Sequence, residues 1–283
     1  MSVLTWIIIF SLIGGVLSVI AASVFLLLPE GKRTRSLPHM VSFAIGALLG
    51  AAFLGLLPHA LGSPYVTDAH DITFTVLIGL LTFFVLEKLV IWRHCHHLEC
   101  EVHGTDEHLH HEQHTITSHE VNHGQSHGKS HSHGQATAGS LVLIGDAVHN
   151  FVDGVLIAAA FLTDVHLGIV TALAVAAHEI PQEVGDFAIL LQSGFSRRKA
   201  LLFNILSSLT TVLGALLAYY SLSSAEAYLP YVLAVAASSF IYVAVADLIP
   251  GLHKQTEIKE SVKQIVLIGT GVTVVFLSHS MLH

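Results

Sequence analysis

Eight long apolar runs dominate this sequence. Each holds about 20 or more mostly apolar residues, the length that an α-helix needs to cross the hydrocarbon core of a bilayer. Lipid cannot hydrogen-bond to backbone groups, so a long apolar segment of this kind crosses a membrane as a helix, in which the backbone groups bond to one another. The predicted spans are 3–28, 39–61, 71–92, 139–162, 166–191, 199–221, 229–249 and 262–282. The sequence therefore predicts an all-α integral membrane protein, a bundle of eight transmembrane helices.

Composition agrees with this fold class. The chain is 53% hydrophobic and 11% charged, whereas a soluble domain carries about 25% charged residues. The first run has no Lys or Arg before it and is too long for the apolar part of a signal peptide, so we expect it to be a retained span. The sequence has no phosphate-binding loop and no dinucleotide fingerprint. We therefore expect neither ATP hydrolysis nor another enzymatic activity within this chain, and no nucleic-acid partner.

The segment between the third and fourth spans divides the chain into three parts. Residues 1–92 form spans one to three, 93–138 form a His-rich loop, and 139–283 form spans four to eight. The loop is poor in apolar residues and holds thirteen of the 22 histidines, so it cannot bury a core and is predicted to be disordered. Histidine is a common metal ligand, which favours weak, multi-site metal binding over a plain solvated linker. The candidate loop ligands are His94, Cys95, His96, His97, Cys100, His131 and His133.

The basic residues predict the orientation of the chain. All twelve Lys and Arg lie in or beside the connections that follow the first, third, fifth and seventh spans. Short cytosolic loops carry the excess of Lys and Arg. Both termini are therefore predicted outside and the His-rich loop in the cytosol. The short chain, with no signal peptide or large outer domain, favours the inner membrane of a bacterium.

Spans four and five carry polar residues at bilayer depth. A charged group there costs on the order of 3 kcal/mol or more, so it is seldom present without a function. Residues three and four apart share one face of a helix. Each of the two spans therefore has a polar stripe: Asp146, His149, Asn150 and Asp153 in span four, and His178, Glu179, Gln182, Glu183 and Asp186 in span five.

The two stripes predict a divalent-metal site between the helices. A very short connection joins the two spans, so they are antiparallel neighbours. Imidazole and carboxylate ligands suit Zn²⁺, with Fe²⁺, Mn²⁺ and Cd²⁺ as further candidates, and the lack of Cys and Met in the stripes disfavours copper(I). The stripes could hold two ions with a bridging carboxylate; the alternative is that these residues only pair with one another to pack the bundle. Asp146 and Asp186, with His59 at the outer end of span two, are candidate transport-path residues.

The two motifs resemble those of a known family. The sequences His149-Asn-Phe-Val-Asp-Gly and His178-Glu-Ile-Pro-Gln-Glu-Val-Gly-Asp resemble the fourth and fifth spans of the ZIP family of zinc and iron transporters, nearest its LIV-1 branch. The resemblance implies uptake of zinc or a related cation into the cytosol, a binuclear site between spans four and five, homodimers, and alternating access by sliding of one helix group against another. It implies ligands at His149, Asn150, Asp153, His178, Glu179 and Gln182, and a further site residue at Asp247.

At two places the sequence departs from the pattern of the LIV-1 branch. The LIV-1 branch usually has His at the position of Gln182, and a neutral amide is a weaker ligand; span two has Ala51 and Gly55 where the branch often has an acid and a His.

Two other functions share part of these motifs. A cation-diffusion-facilitator exporter would share the His149-x3-Asp153 pair, but it would have six spans and a cytosolic C-terminal domain. An intramembrane zinc protease would need His-Glu-x-x-His, and here Gln182 replaces the second His.

Overall fold

The computed structural model describes residues 1–95, 131–253 and 257–280, without the side chains of 90–95, 131–138 and 279–280. These ranges form helices and turns and contain no strand. Eight helices follow one another along the described chain: α1 Val3–Phe25, α2 Glu30–Leu61, α3 Ala69–Cys95, α4 His131–Thr163, α5 Val165–Gln192, α6 Arg197–Leu222, α7 Glu226–Leu252 and α8 Ile258–Ser280.

Seven of these helices are long and apolar enough to cross a membrane, which confirms the predicted all-α membrane fold. The helix outside this set is α5. It has 28 residues, which is ample for a span, but the polar residues of its motif lower its mean hydropathy. The count of eight spans therefore remains a prediction, because the length and composition of α5 do not identify it as a span.

Several helices extend beyond the predicted spans. Helix α2 begins at Glu30, not at residue 39, and runs through Pro38. Helix α3 ends at Cys95 and α4 begins at His131, so residues 93–95 and 131–138 of the segment predicted to be disordered are helical. Adding residues to an existing helix costs little, because the nucleus is already formed.

The candidate loop ligands lie mostly beyond what the structure describes. The side chains of His94, Cys95, His131 and His133 are not described, although their backbones lie in the ends of α3 and α4. His96, His97 and Cys100 lie outside the described residues. Metal binding by this segment therefore remains a prediction.

Helix α4 packs against α5 on one side and against α6 on the other. A Cβ atom at Gly154 would collide with the backbone carbonyl of Thr211, and one at Gly214 would collide with that of Phe151. The backbones of α4 and α6 therefore touch directly, as small residues permit in membrane helices. Helices α2 and α8 make a similar close contact, through Gly46 and Gly271.

Helix α5 lies in the interior of the bundle. It contacts α1, α2, α4 and α6, and its motif residues His178, Glu179 and Glu183 are at most 1% exposed. Two π-helical turns, Ile13–Leu17 in α1 and Ala51–Leu56 in α2, pack against it. Such turns are frequent at functional sites. The fold thus places the polar motif of α5 where protein, not lipid, surrounds its charged groups.

Candidate metal site

Four side chains meet between α4 and α5. His149 and Asp153 lie one turn apart on α4, and His178 and Glu179 are adjacent on α5. One nitrogen or carboxylate oxygen from each residue lies within 4.8 Å of all the others. Asp153, His178 and Glu179 are almost completely buried, while His149 is partly exposed. We call these four residues the His–acid cage.

The distances within the cage suit one metal ion. The two Nε2 atoms of His149 and His178 are 3.2 Å apart. Their distances to the nearest Asp153 and Glu179 oxygens run from 3.3 to 3.7 Å. Tetrahedral Zn²⁺ with ligands at about 2.0 Å separates those ligands by about 3.3 Å. Five of the six ligand–ligand distances in the cage are therefore close to those of a tetrahedral zinc site, and the sixth, between Asp153 and Glu179, is within 4.8 Å.

The imidazole of His178 is oriented as a metal ligand. Its Nδ1 lies 3.1 Å from the carbonyl oxygen of Ala174, and a carbonyl only accepts, so Nδ1 carries the hydrogen. When the ring is neutral, Nε2 then presents a lone pair toward the oxygens of Asp153 and Glu179. Metal-binding histidines are commonly held by this kind of hydrogen bond to a backbone carbonyl.

The carboxylates of the cage lack donors. Both oxygens of Asp153 and both of Glu179 are buried without a hydrogen-bond partner among the described residues. Buried polar atoms are nearly always hydrogen-bonded, and a buried charge needs a counter-charge. Lone pairs that converge in this way are stable only when a proton or a metal cation lies between them.

A second group of acids adjoins the cage. Asp146, Glu179 and Glu183 also place carboxylate oxygens within 4.8 Å of one another, and all three are buried. Glu179 belongs to both groups. The half-buried Asp186 lies near enough to interact with Asp146 and Glu183. We call Asp146, Glu179 and Glu183 the acid group; its oxygen-only ligands are also suited to a divalent cation.

Asn150, a predicted ligand, lies behind the acid group. Its Nδ2 donates to the carboxylate of Asp146 at 2.8 Å, and its Oδ1 accepts from the hydroxyl of Thr211 at 2.8 Å. Both ends of the amide are therefore engaged in this structure. Asn150 holds the carboxylate of Asp146 in place and turns its oxygen toward α6, away from the cage.

Gln182 and Asp247, also predicted ligands, are not among the four residues of the cage. Gln182 is half-buried one turn after His178, and its amide forms no hydrogen bond with the residues that the structure describes. Asp247 is exposed in the π-helical turn Val243–Leu248 of α7. It interacts electrostatically with Glu87, which accepts a hydrogen bond from Tyr242, and with His149 and His178 of the cage. The structure therefore puts Asp247 at the edge of the site.

His59, a predicted path residue, lies at the opposite end of the bundle. It lines a cleft of about 350 Å³ between α2 and α7 together with Tyr65 and Glu226. The Tyr65 hydroxyl donates to Glu226 at 3.0 Å, and this contact raises the pKa of Tyr65. The hydrogen bond joins the α2–α3 connection to the start of α7 above His59.

The sequence analysis missed the contribution of α6. Asn204, Ser207 and Thr211 are buried on one face of that helix. Asn204 lies beside Glu183, Ser207 beside Asp146, and Thr211 donates to Asn150. Their spacing of three and four residues is the signal that would have identified them. Helix α6 thus forms a polar backing to the acid group.

Comparison with known proteins agrees with the motifs. The family model described as ZIP Zinc transporter matches residues 2–279. The zinc transporter ZIP13 of Gallus gallus is 32% identical over 280 aligned residues, covering 87% of this chain and 75% of the relative. ZIP13 of Danio rerio is 33% identical, with 86% and 76% covered. Zinc transporter ZIP4 of Homo sapiens is 45% identical over 114 residues, covering 40% of this chain and 18% of the relative.

These matches confirm the family that the motifs in spans four and five resemble. The family model spans nearly the whole described chain, α1 to α8, and so includes both helices of the His–acid cage. ZIP13 and ZIP4 are members of the LIV-1 branch, the one predicted from the sequence. The chain belongs to the ZIP zinc transporter family.

Proposed function

We propose that this protein carries Zn²⁺ into the cytosol and binds it first in the His–acid cage between α4 and α5. The observation that supports this proposal most is the convergence of His149, Asp153, His178 and Glu179. The two imidazole nitrogens lie 3.2 Å apart and 3.3 to 3.7 Å from the carboxylate oxygens, which have no hydrogen-bond partner in the part of the chain that the structure describes. Family membership supports zinc as the cargo. Two imidazoles and two carboxylates form a neutral complex with a dication, so a charged ion can sit at bilayer depth.

The acid group offers the next position along the path. Because Glu179 belongs to both groups, an ion can gain the oxygens of Asp146 and Glu183 before it has left Glu179. No step then requires a bare dication, which would be very costly in a low-dielectric interior. We propose that Asp186 continues this route to the cytosolic face, and that the cleft at His59 is the outer entrance.

The remaining parts of the proposal follow from the sequence and the family. Both termini face outward, the His-rich segment faces the cytosol, and the protein acts as a homodimer in a bacterial inner membrane. Zn²⁺ is preferred, and Fe²⁺, Mn²⁺ and Cd²⁺ compete, because all four accept nitrogen and oxygen ligands. Transport does not need enzymatic chemistry within this chain.

The test is initial zinc flux in proteoliposomes loaded on one side. Asp153→Asn keeps the size of the side chain but removes its charge from the cage. We expect flux at low zinc to fall by about a hundredfold or more, since even residues behind the ligands of a metal site are worth about 10- to 100-fold in affinity.

Asp68→Asn is the matched control. Asp68 carries the same chemistry on an exposed turn, where it pairs with His70, and its loss should leave flux unchanged. Normal flux in Asp153→Asn would refute the cage as the transport site. Equal loss in both variants would show that the assay reports general damage to the protein.

A further inference from the structure

A second, unrelated cleft lies at the opposite end of the bundle from His59. It has a volume of about 270 Å³ and opens between the end of α1, the start of α2, the end of α5 and the start of α6. Three arginines line it, namely Arg33, Arg197 and Arg198, together with apolar side chains that include Leu26, Phe187 and Leu191. We call it the arginine cleft.

The positive charge of the arginine cleft is uncompensated. No carboxylate lines it. None of the three arginines forms a salt bridge with an acid in the described ranges, although ion pairs occur elsewhere in them. The Nε atom of Arg33 is buried without a hydrogen-bond partner among the described residues, and a buried donor without an acceptor is unfavourable. The lining of the cleft is therefore suited to an anion.

Helix α6 adds to this positive field. It begins at Arg197, and the Ser196 side chain caps the N–H of Lys199. The first N–H groups of a helix have no partner within the helix, and its N-terminus carries a partial positive charge. Oxygen atoms of a phosphate are the usual partners for such an N-terminus and for the planar fork of an arginine.

The apolar lining selects among phosphates. Leu26, Leu27 and Leu201 stand beside the arginines, and Leu27 is 80% exposed. A small inorganic phosphate would leave these apolar side chains exposed, whereas the acyl chain of a lipid would cover them. All the basic residues of this end are predicted to lie at the cytosolic surface, where anionic lipids concentrate and where basic pockets between helices bind their headgroups.

We propose that the arginine cleft binds the phosphate headgroup of an anionic phospholipid, with its acyl chains lying along Leu26, Leu27 and Leu201. The lipid fills the space between α1 and α5 at the end of α5, near the residues that follow Asp186. This site is separate from the His–acid cage, and it does not depend on which metal the protein carries.

The test measures retention of phosphatidylglycerol by the full-length protein in native mass spectrometry, against phosphatidylcholine with the same acyl chains. The wild-type protein should retain phosphatidylglycerol selectively. Arg33→Gln, Arg197→Gln and Arg198→Gln should each weaken retention about fivefold, which corresponds to about 1 kcal/mol per basic residue at an anionic surface. The triple variant should lose the selectivity.

Two basic residues on the same helices provide matched controls. Arg35 lies on the α8 side of α2, near Glu260, and Lys199 borders a different surface with Phe195 and Phe203. Arg35→Gln and Lys199→Gln should keep wild-type retention. If these controls lose as much as the cleft variants, the effect reflects net charge and the proposal is wrong.

Three further outcomes would overturn the proposal. One is equal retention of both lipids by the wild-type protein, and another is full retention of phosphatidylglycerol by the triple variant. The third is displacement of phosphatidylglycerol by free glycerol phosphate at equal concentration, which would make this a site for small phosphates. If the triple variant fails to fold, the single variants decide, because Arg197 and Arg198 are exposed and their loss leaves no cavity.

Discussion

Replacing Glu179 with Gln should have opposite effects on the metal-free and the zinc-bound protein. Glu179 is fully buried, and its oxygens lie within 4.8 Å of those of Asp153, Asp146 and Glu183. At 4.8 Å two ionised carboxylates repel by about 3.5 kcal/mol at an effective dielectric constant of about 20, and they repel more strongly when closer. The metal-free protein therefore either bears this repulsion or takes up a proton to relieve it. The amide of Gln carries no charge, so it removes this repulsion. Its N–H groups can also donate hydrogen bonds to oxygens of Asp153 or Glu183, which have no partner in the wild-type structure among the described residues. The metal-free variant should therefore unfold at a higher temperature than the wild type.

Zinc should stabilise the same variant much less. At a zinc concentration of about 100 times Kd, binding stabilises the folded wild-type protein by about 2.7 kcal/mol. A hundredfold weaker affinity makes that concentration equal to Kd, where the stabilisation is only about 0.4 kcal/mol. We expect at least this loss, because Glu179 is shared between the cage and the acid group.

The assay is thermal unfolding of the purified protein with and without zinc, followed by intrinsic fluorescence. Glu260→Gln is the control: Glu260 pairs with Lys263 on α8, far from the cage, and its variant should keep the full zinc-induced shift. A lower stability of metal-free Glu179→Gln than of the metal-free wild type, or a zinc-induced stabilisation as large as that of the wild type, would refute this prediction.

Three further outcomes test other parts of the structure. Gln182→His supplies an imidazole beside His178 and should tighten zinc binding about tenfold with equal or slower turnover, as measured by calorimetric titration and flux; an unchanged affinity would mean that residue 182 does not touch the metal. Gly154→Ala should lower stability by about 1–3 kcal/mol in chemical unfolding, because the new Cβ would strike the Thr211 carbonyl, whereas Gly145→Ala, with open space around it, should be neutral or stabilising. Deletion of residues 96–130 should leave zinc flux largely intact while total zinc bound per protein falls; loss of flux on that deletion would move the transport site to the loop.

Part of the site could be predicted from periodicity alone. The i, i+4 spacing of His149 and Asp153 placed them on one face of α4, and the short connection made α5 its antiparallel neighbour. Imidazoles and ionised carboxylates present lone pairs to a cation, so the chemistry of these side chains predicts metal binding. The structure brings these residues together with His178 and Glu179, as the two stripes predicted.

The role of Asn150 could not be predicted in this way. An amide both donates and accepts, so its function depends on which neighbours it meets. The contact with Thr211 crosses from α4 to α6, sixty-one residues along the chain, and no periodicity within one helix reports it. The helical state of residues 131–138 could not be predicted from their composition, which is that of a solvated segment. These residues are continuous with α4, and extending an existing helix costs little.

The direct contact between α4 and α6 has a mechanical consequence. Gly154 and Gly214 let the two backbones touch, and Thr210 and Thr211 donate across the same interface to Ala147 and Asn150. Sliding one helix along the other would break these hydrogen bonds and push side chains into the backbone of the neighbouring helix. We therefore expect α4 and α6 to move as one rigid unit. Helix α5 faces this pair partly through the imidazoles and carboxylates of the His–acid cage and the acid group. If an ion binds there as proposed, its arrival and departure would change the attraction between α5 and the rigid α4–α6 pair without changing the pair itself.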